Sequence, residues 1–279
     1  MSGSGESPGR TMFAAAAHRL NNTNDIENSA LMGESFAAYE AGIPGNQEGA
    51  SHTKRVETLS KQIDQACRAL DRRRLSYRLA KRLFDIIFSA TVVLVGLLPC
   101  AMLSVAIAID TKGSPIYSQE RVGRFGRPFR IYKFRSMVVD ADDVEKYLST
   151  EQLEEWHRER KVTDDPRITS LGGILRKTSL DELPQFLNVL KGDMSLIGPR
   201  AITLEELCNF HFDDAVLMLS VPQGVTGAWQ AGPRNEATFE NGERQRIELE
   251  YVRNASLKED IRIFLATFGA MFGKNKTGR

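Results

Sequence analysis

Apolar positions set the first divisions of this chain. From Thr53 they recur at Val56, Leu59, Ile63, Ala66 and Leu70, the spacing of one helix face. That face runs into "DRRRLSYRLAKRLFD". Its plain reading is a solvated basic helix surface, and its sharper reading is a helix lying against anionic lipid. Ile86 to Ile109 then form 24 residues without a charge. At about 1.5 Å per residue this run can cross a hydrocarbon core of about 30 Å. Pro99 divides it into arms of 13 and 10 residues, each too short to span alone. It also removes a backbone donor where lipid offers no substitute. Basic residues crowd both flanks: Arg72, Arg73, Arg74, Arg78, Lys81 and Arg82 before it, and Lys112, Arg121, Arg124, Arg127 and Arg130 after it. Short basic flanks stay cytoplasmic. A segment that enters, bends at Pro99 and returns satisfies both signals, and its rival is a proline-kinked helix that crosses.

Beyond the run, "PIYSQ" and "PFRIYKF" are β-prone and Gly123 and Gly126 punctuate a turn between them, which predicts a short hairpin. Its arginines read as an exposed charged edge that resists aggregation. Lys133 and Arg135 alternate with Tyr132 and Phe134, so both cations are expected on one face. Residues 140–161 are charged with a helical pattern, and "KVTDDPRIT" places a turn at Asp165-Pro166. A second turn is expected at Gly172-Gly173, followed by a helix ending near Gly192.

Composition narrows the class. The chain has 279 residues, 42% of them hydrophobic, which is enough for one sizeable core with an accessory segment. The formal charge of +1 hides an acidic first fifty residues and a basic stretch from Arg68 to Arg135. A local anionic partner, phosphate or lipid headgroup, suits this better than nucleic acid. Cys67, Cys100 and Cys208 have neither metal-ligand nor disulfide-scaffold spacing, which favours a reducing compartment. His18, His52, His157 and His211 form no pair at helical spacing. Residues 1–52, rich in Gly, Ser, Ala and Asn, read as a disordered tail, and "MSGSGESPGR" lacks the charged and apolar regions of a secretory signal. The expected order is this tail, a basic amphipathic helix over 53–82 and a re-entrant membrane segment over 83–112. A cytoplasmic domain over 113–273 and a basic tail over 274–279 complete it. The fold class is α+β and mostly helical.

The candidate chemistry lies in "RKTSLDELPQF". Ser179 with Glu182 matches a capping box, although Pro184 fits better if the cap is nearer Asp181. Either way Asp181 and Glu182 are expected at a helix N-terminus, where the dipole holds a carboxylate pKa low. Capping alone would explain them. Their company suggests more: Lys133, Arg176 and Arg200 suit phosphate oxygens, a carboxylate can hold Mg²⁺, and an ionised aspartate can attack phosphorus.

The runs "KRLFD", "QERVGRFGRPFRIYKFRSM", "DDPRIT", "LRKTSLDELPQFLNVLKGDMSLIGPR" and "GVTGAWQ" resemble those of the bacterial sugar transferase family. These are the monotopic phosphoglycosyl transferases that place the first sugar phosphate on undecaprenyl phosphate. The resemblance spans roughly Lys81 to Phe272. It implies a monotopic membrane protein with a re-entrant helix broken at Pro99 and a small catalytic domain with a β-hairpin and interfacial helices. In such a protein Asp181 attacks the β-phosphate of a UDP-hexose and expels UMP. Undecaprenyl phosphate then takes the phosphosugar from the aspartate. Asp181 also holds Mg²⁺, Glu182 is its partner, and Lys133, Arg176 and Arg200 contact phosphate. The implied setting is the cytoplasmic face of a bacterial inner membrane. The implied task is the first membrane step of exopolysaccharide synthesis, with galactose 1-phosphate as the transferred group and glycosyltransferases acting downstream. The stretch "VPQGVTGAWQAGPRN" departs from the family's pattern. Gln223 follows Pro222 where Pro-Gly is usual, and Pro233 interrupts Gly-Arg. Thr226, Gln230 and Arg234 in this stretch are candidates for a donor-binding loop. Two other classes stay open: a glycosyltransferase that moves sugar without its phosphate, and a silent membrane scaffold.

Overall fold

A single helix, α1 (Leu75–Thr111, 37 residues), carries the apolar run, with Pro99 inside it. The computed structural model describes residues 64–159, 162–207, 210, 212–232 and 242–272. The expected tail over 1–52, the first turns of the 53–82 helix, Arg234 and the tail over 274–279 lie outside the described residues. The basic stretch is not one helix. Residues 64–70 are helical, 71–74 are not, and α1 begins at Leu75 rather than at residue 83.

The ends and the middle of α1 meet different surroundings. Tyr77, Lys81, Asp85 and Ser89, spaced by four, are buried on one face near its start, and Ile107 and Thr111 are buried near its end. Between them Leu94, Val95, Leu97, Leu98, Met102 and Val105 are 62–75% exposed. A middle this apolar and this exposed is suited to lipid. The basic stretch before the apolar run was read as a face turned to water or to anionic lipid, but two of its cations turn inward. Lys81 Nζ donates to Asp260 at 2.8 Å, where Tyr77 and Tyr251 hydroxyls donate as well. Arg82 donates to the carbonyls of Val189 and Leu190, at the C-terminal end of a helix where a cation is favoured. Asp85 accepts from Ser195 Oγ and from the backbone N–H of Leu196.

The hairpin forms as the β-prone runs and the glycine turn predict, from β1 (Ile116–Val122) and β2 (Pro128–Phe134) joined through a tight turn at Arg124–Gly126. The chain divides into two compact units. The first takes in the described part of 1–72, the hairpin tip 120–129 and residues 201–222, including α5 (Phe212–Leu219). In it two of the hairpin arginines are tied down rather than left at a charged edge, while Arg127 is exposed. Arg124 pairs with Asp71 at 2.7 Å, donates to the Ser220 carbonyl and lies over the Phe125 ring. Arg121 pairs with Glu206 at 3.1 Å.

The second unit holds residues 73–119, 130–200 and 223–279. After α2 (Thr150–Glu159) come α3 (Ser170–Thr178), a 3₁₀ turn at Leu180–Glu182, α4 (Gln185–Lys191) and β3 (Ser195–Ile197). β4 (Gly224–Thr226), α6 (Ala228–Ala231), α7 (Glu243–Asn254) and α8 (Leu257–Phe272) complete it. β3 and β4 pair in parallel, with Ser195 opposite Gly224 and Ile197 opposite Thr226. Gly172 and Gly173 lie within α3 rather than in a turn. The reason is contact: a Cβ on Gly172 would come within 1.9 Å of the Ser136 carbonyl oxygen. Thr169 caps α3, its hydroxyl accepting from the Gly172 N–H. Gly192 ends α4 with φ +90, as its position after the last apolar residue predicts. Ile107 of α1 packs with Phe134 of β2 and Leu175 of α3, with Cys100, Leu103, Leu171 and Leu183 around them. The site-bearing turn therefore stands on the last turns of the apolar helix.

Candidate active site

Asp181 and Glu182 sit in the 3₁₀ turn between α3 and α4, not in the first turn of a long helix. Ser179 makes no side-chain cap; it closes α3 in the left-handed region at φ 57 and its N–H returns to the Arg176 carbonyl. Pro184 takes the N-cap position of α4, where its missing N–H costs nothing. The capping box is thus replaced by a tight elbow that turns two adjacent carboxylates toward β2.

Lys133 meets them there: its Nζ donates to Glu182 Oε1 at 3.0 Å. Arg135 does not join it, donating instead to the Ser114 carbonyl. Arg176 Nε donates to Ser136 Oγ at 2.9 Å, and both Asp181 and Asp165 lie within its electrostatic reach. Asp165 in turn grips Arg167 with both oxygens, at 2.8 and 2.6 Å, and accepts the Arg167 N–H. "DDPRIT" bonds to the backbone of residues 136–138, and Ser136 is the residue that accepts from Arg176. Asn188, fully buried, accepts from the Tyr132 N–H and donates to the Arg130 carbonyl, so α4 is stitched to β2 beside the carboxylates.

The electrostatics reverse the expectation of a low carboxylate pKa. Asp181 is only 9% exposed. Burial first, and then the neighbouring Glu182 charge, raise its pKa to about 6, against the opposing pull of Lys133 and Arg176. Desolvation outweighs the dipole because the turn is short and its carboxylate has little contact with water. Such a group is poised near neutrality.

Arg200 belongs to a second cluster. Its backbone N–H donates to Glu248 Oε1 at 3.3 Å, and its guanidinium lies 5.5 Å from the Trp229 ring centre. Arg244 lies over the same ring at 4.7 Å. The Gly198-Pro199 turn that carries Arg200 is clamped by glycines: a Cβ on Gly224 or Gly227 would come within 2.2 Å of Gly198 backbone atoms. Of the proposed donor loop, Thr226 shares a hydrogen bond with Thr267 at 2.9 Å, and Gln230 Oε1 is buried without a partner among the described residues. Gln223, the departure from the family pattern, is 1% exposed. Trp229, Arg244, Glu248, Ser136 and Asn188 were not singled out from sequence. Each acts through a partner far along the chain, and no local spacing marks it.

Among the described residues no three His, Cys, Asp or Glu side chains converge as a metal site. The Asp181-Glu182 pair does suit Mg²⁺. That ion uses hard oxygens, takes one or two carboxylates and fills its shell with phosphate and water. A cation there would also relieve the like-charge penalty on Asp181.

Residues 76–274 match the bacterial sugar transferase family. The chain is 41% identical over 203 residues to the UDP-galactose-lipid carrier transferase of Erwinia amylovora, covering 72% of this chain and 42% of that protein. It is 42% identical over 196 residues to the undecaprenyl-phosphate galactose phosphotransferase of Salmonella typhimurium, covering 69% and 40%. It is 38% identical over 197 residues to the exopolysaccharide production protein ExoY of Rhizobium meliloti, covering 69% and 85%. The match thus takes in less than half of the first two relatives and most of the third.

Proposed function

This chain belongs to the bacterial sugar transferase family, and from that premise we propose that it transfers a hexose 1-phosphate, galactose 1-phosphate first among them, from a UDP-sugar to undecaprenyl phosphate. The observation that carries the reading is the elbow itself: a buried carboxylate near neutral pKa, flanked by Glu182, Lys133 and Arg176. A capping pair would sit in solvent and have no need of this company. The names of the relatives supply the donor and acceptor classes.

In the proposed reaction an ionised Asp181 oxygen attacks the β-phosphorus of the donor. The bond from that phosphorus to the bridging oxygen breaks, and UMP departs with the electron pair. A phosphate oxygen of the acceptor lipid then attacks the same phosphorus, freeing Asp181 and leaving a lipid diphosphosugar. Two displacements let one small site serve a soluble donor and a membrane-held acceptor in turn. Lys133 and Arg176 hold phosphate oxygens and offset charge as it develops. Arg200, carried on the Gly198-Pro199 turn of the second cluster, is assigned to the diphosphate as well. Mg²⁺, held by Asp181 with Glu182 beside it, would supply charge neutralisation on the diphosphate.

The membrane setting is part of the reading. Both ends of α1 are packed into the second unit while its middle is bare. A straight helix of 37 residues would be about 55 Å long at about 1.5 Å per residue. A bend near Pro99 that dips the middle into the cytoplasmic leaflet of the inner membrane accounts for both observations. Leu257, Ile261, Leu265 and Phe268 form an exposed apolar stripe on α8, suited to the same interface, and Ile174, Leu180 and Leu187 expose apolar surface around the elbow. Together they leave the site within reach of a lipid phosphate.

Purified protein incubated with UDP-galactose and no lipid should gain the mass of one hexose phosphate by intact-mass measurement, and Asp181→Asn should not. Adding undecaprenyl phosphate should discharge the adduct, with UMP already released. No adduct on the wild-type chain, or UDP as the released nucleotide, would overturn this mechanism.

A further inference from the structure

We infer that Glu248 is a positioning residue for Arg200: from inside the protein its carboxylate holds the backbone from which the Arg200 guanidinium reaches the donor diphosphate. The inference rests on the phosphate-binding role proposed above for Arg200. Glu248 lies on α7 and is 1% exposed. One of its oxygens accepts the Arg200 N–H at 3.3 Å, and the other has no hydrogen-bond partner among the described residues. Arg244, four residues earlier on the same helix, and Arg200 are the cations near it, and both guanidinia lie over Trp229.

A buried carboxylate is costly, and a well-packed apolar side chain of similar size commonly serves stability as well or better. Here the carboxylate is bound to the main chain of a candidate substrate-binding residue, and burial raises its pKa to about 7. β4 holds the turn as well: the Gly198 N–H donates to the Thr226 carbonyl, the Gly224 N–H donates to the Pro199 carbonyl, and Arg200 bridges to Gly224. Those contacts fix Gly198 and Pro199 in place. The Pro199 carbonyl and the Arg200 N–H belong to one planar peptide, held by Gly224 on one side and by Glu248 on the other, so loss of the Glu248 acceptor leaves that peptide anchored on one side only.

The test compares Glu248→Ala, Glu248→Asp, Glu248→Gln and Arg200→Ala, with the double variant Arg200→Ala/Glu248→Ala. Glutamine keeps an acceptor at the same reach, and aspartate keeps the charge but falls short by one methylene. Glu248→Ala and Glu248→Asp should raise KM for the UDP-sugar about tenfold, the cost of one lost hydrogen bond, with kcat much less affected. Glu248→Gln should stay near wild type. In the Arg200→Ala background the alanine change at 248 should add nothing. Amide exchange at Arg200, followed without any substrate, should quicken in the alanine and aspartate variants and not in the glutamine variant. Unchanged exchange at Arg200 in Glu248→Asp would overturn the inference, as would a KM penalty that persists in full without the Arg200 side chain. An Arg200→Ala variant with unaltered KM beside quickened exchange would instead strike at the phosphate role of Arg200 and leave the positioning contact standing. If Glu248→Ala does not fold, the aspartate and glutamine variants decide alone.

Discussion

At the residue scale, Asp181 carries opposite demands of stability and chemistry. Its folded pKa of about 6 stands above the ordinary aspartate value of 3.8, so the native state binds its proton more tightly than the unfolded chain does. Ionising it therefore costs stability. That cost is present in full above about pH 6, declines as pH falls through the folded value, and is gone below the unfolded one. At about 1.36 kcal/mol per pKa unit, the penalty above neutrality is at most about 3 kcal/mol. Asp181→Asn removes the charge and keeps the shape. It should raise the thermal midpoint at pH 7.5 and change it little at pH 4, while abolishing turnover. Differential scanning at the two pH values checks this; a stabilisation that is equal at both would contradict the burial argument. In the free enzyme the same ionisation should govern kcat/KM, which is expected to fall about tenfold per pH unit on the acid side of about 6.

At the scale of elements, carboxylates on or near α1 join it to the rest of its unit. Asp85 accepts from Ser195 Oγ and Leu196 N–H, tying the helix to β3, and Asp260 gathers Lys81, Tyr77 and Tyr251. Asp85→Ala would leave the Leu196 N–H and the Ser195 hydroxyl buried without their acceptor, at a cost of about 1–3 kcal/mol for such a loss. A lowered thermal midpoint in detergent and reduced activity are expected, with Asp85→Asn retaining part of both. Arg124 makes the contrast. It is bound to Asp71, Ser220 and Phe125 in the other unit. Arg124→Ala should lower stability without changing KM for the donor; a large KM effect from this residue would place substrate contacts where none are proposed.

At the scale of the whole molecule, the question is on which side of the membrane the two flanks of α1 lie. Single cysteines at the exposed positions Arg72 and Asp142, in a background without Cys67, Cys100 and Cys208, report on the two flanks. In intact cells both should resist an impermeant maleimide until the membrane is opened. Labelling at position 72 alone would reveal a crossing helix and sink the re-entrant topology. Pro99→Leu restores a backbone donor in an apolar run long enough to span. It should shift a measurable fraction of molecules toward labelling at position 72.

The sequence by itself determined what depends on neighbours along the chain. An uncharged run predicts the apolar segment, two β-prone runs about a glycine turn predict the hairpin, and a glycine after the last apolar residue predicts the end of α4. Ordered motifs determined the family. What only the tertiary structure decided depends on groups distant in sequence. The direction of the Asp181 pKa required its burial, which the dipole argument could not include. Lys81 and Arg82 looked like cations of a solvated or lipid-facing surface until Asp260 and the end of α4 came within hydrogen-bond distance. Gly172 looked like a turn until the Ser136 carbonyl came against it. Arg200 joined the acidic pair in sequence reasoning, yet its contacts are with Trp229 and Glu248. The physical reason is common to all four. Burial and long-range hydrogen bonds are set by which elements pack together, and that packing is written in the whole chain rather than in any local spacing.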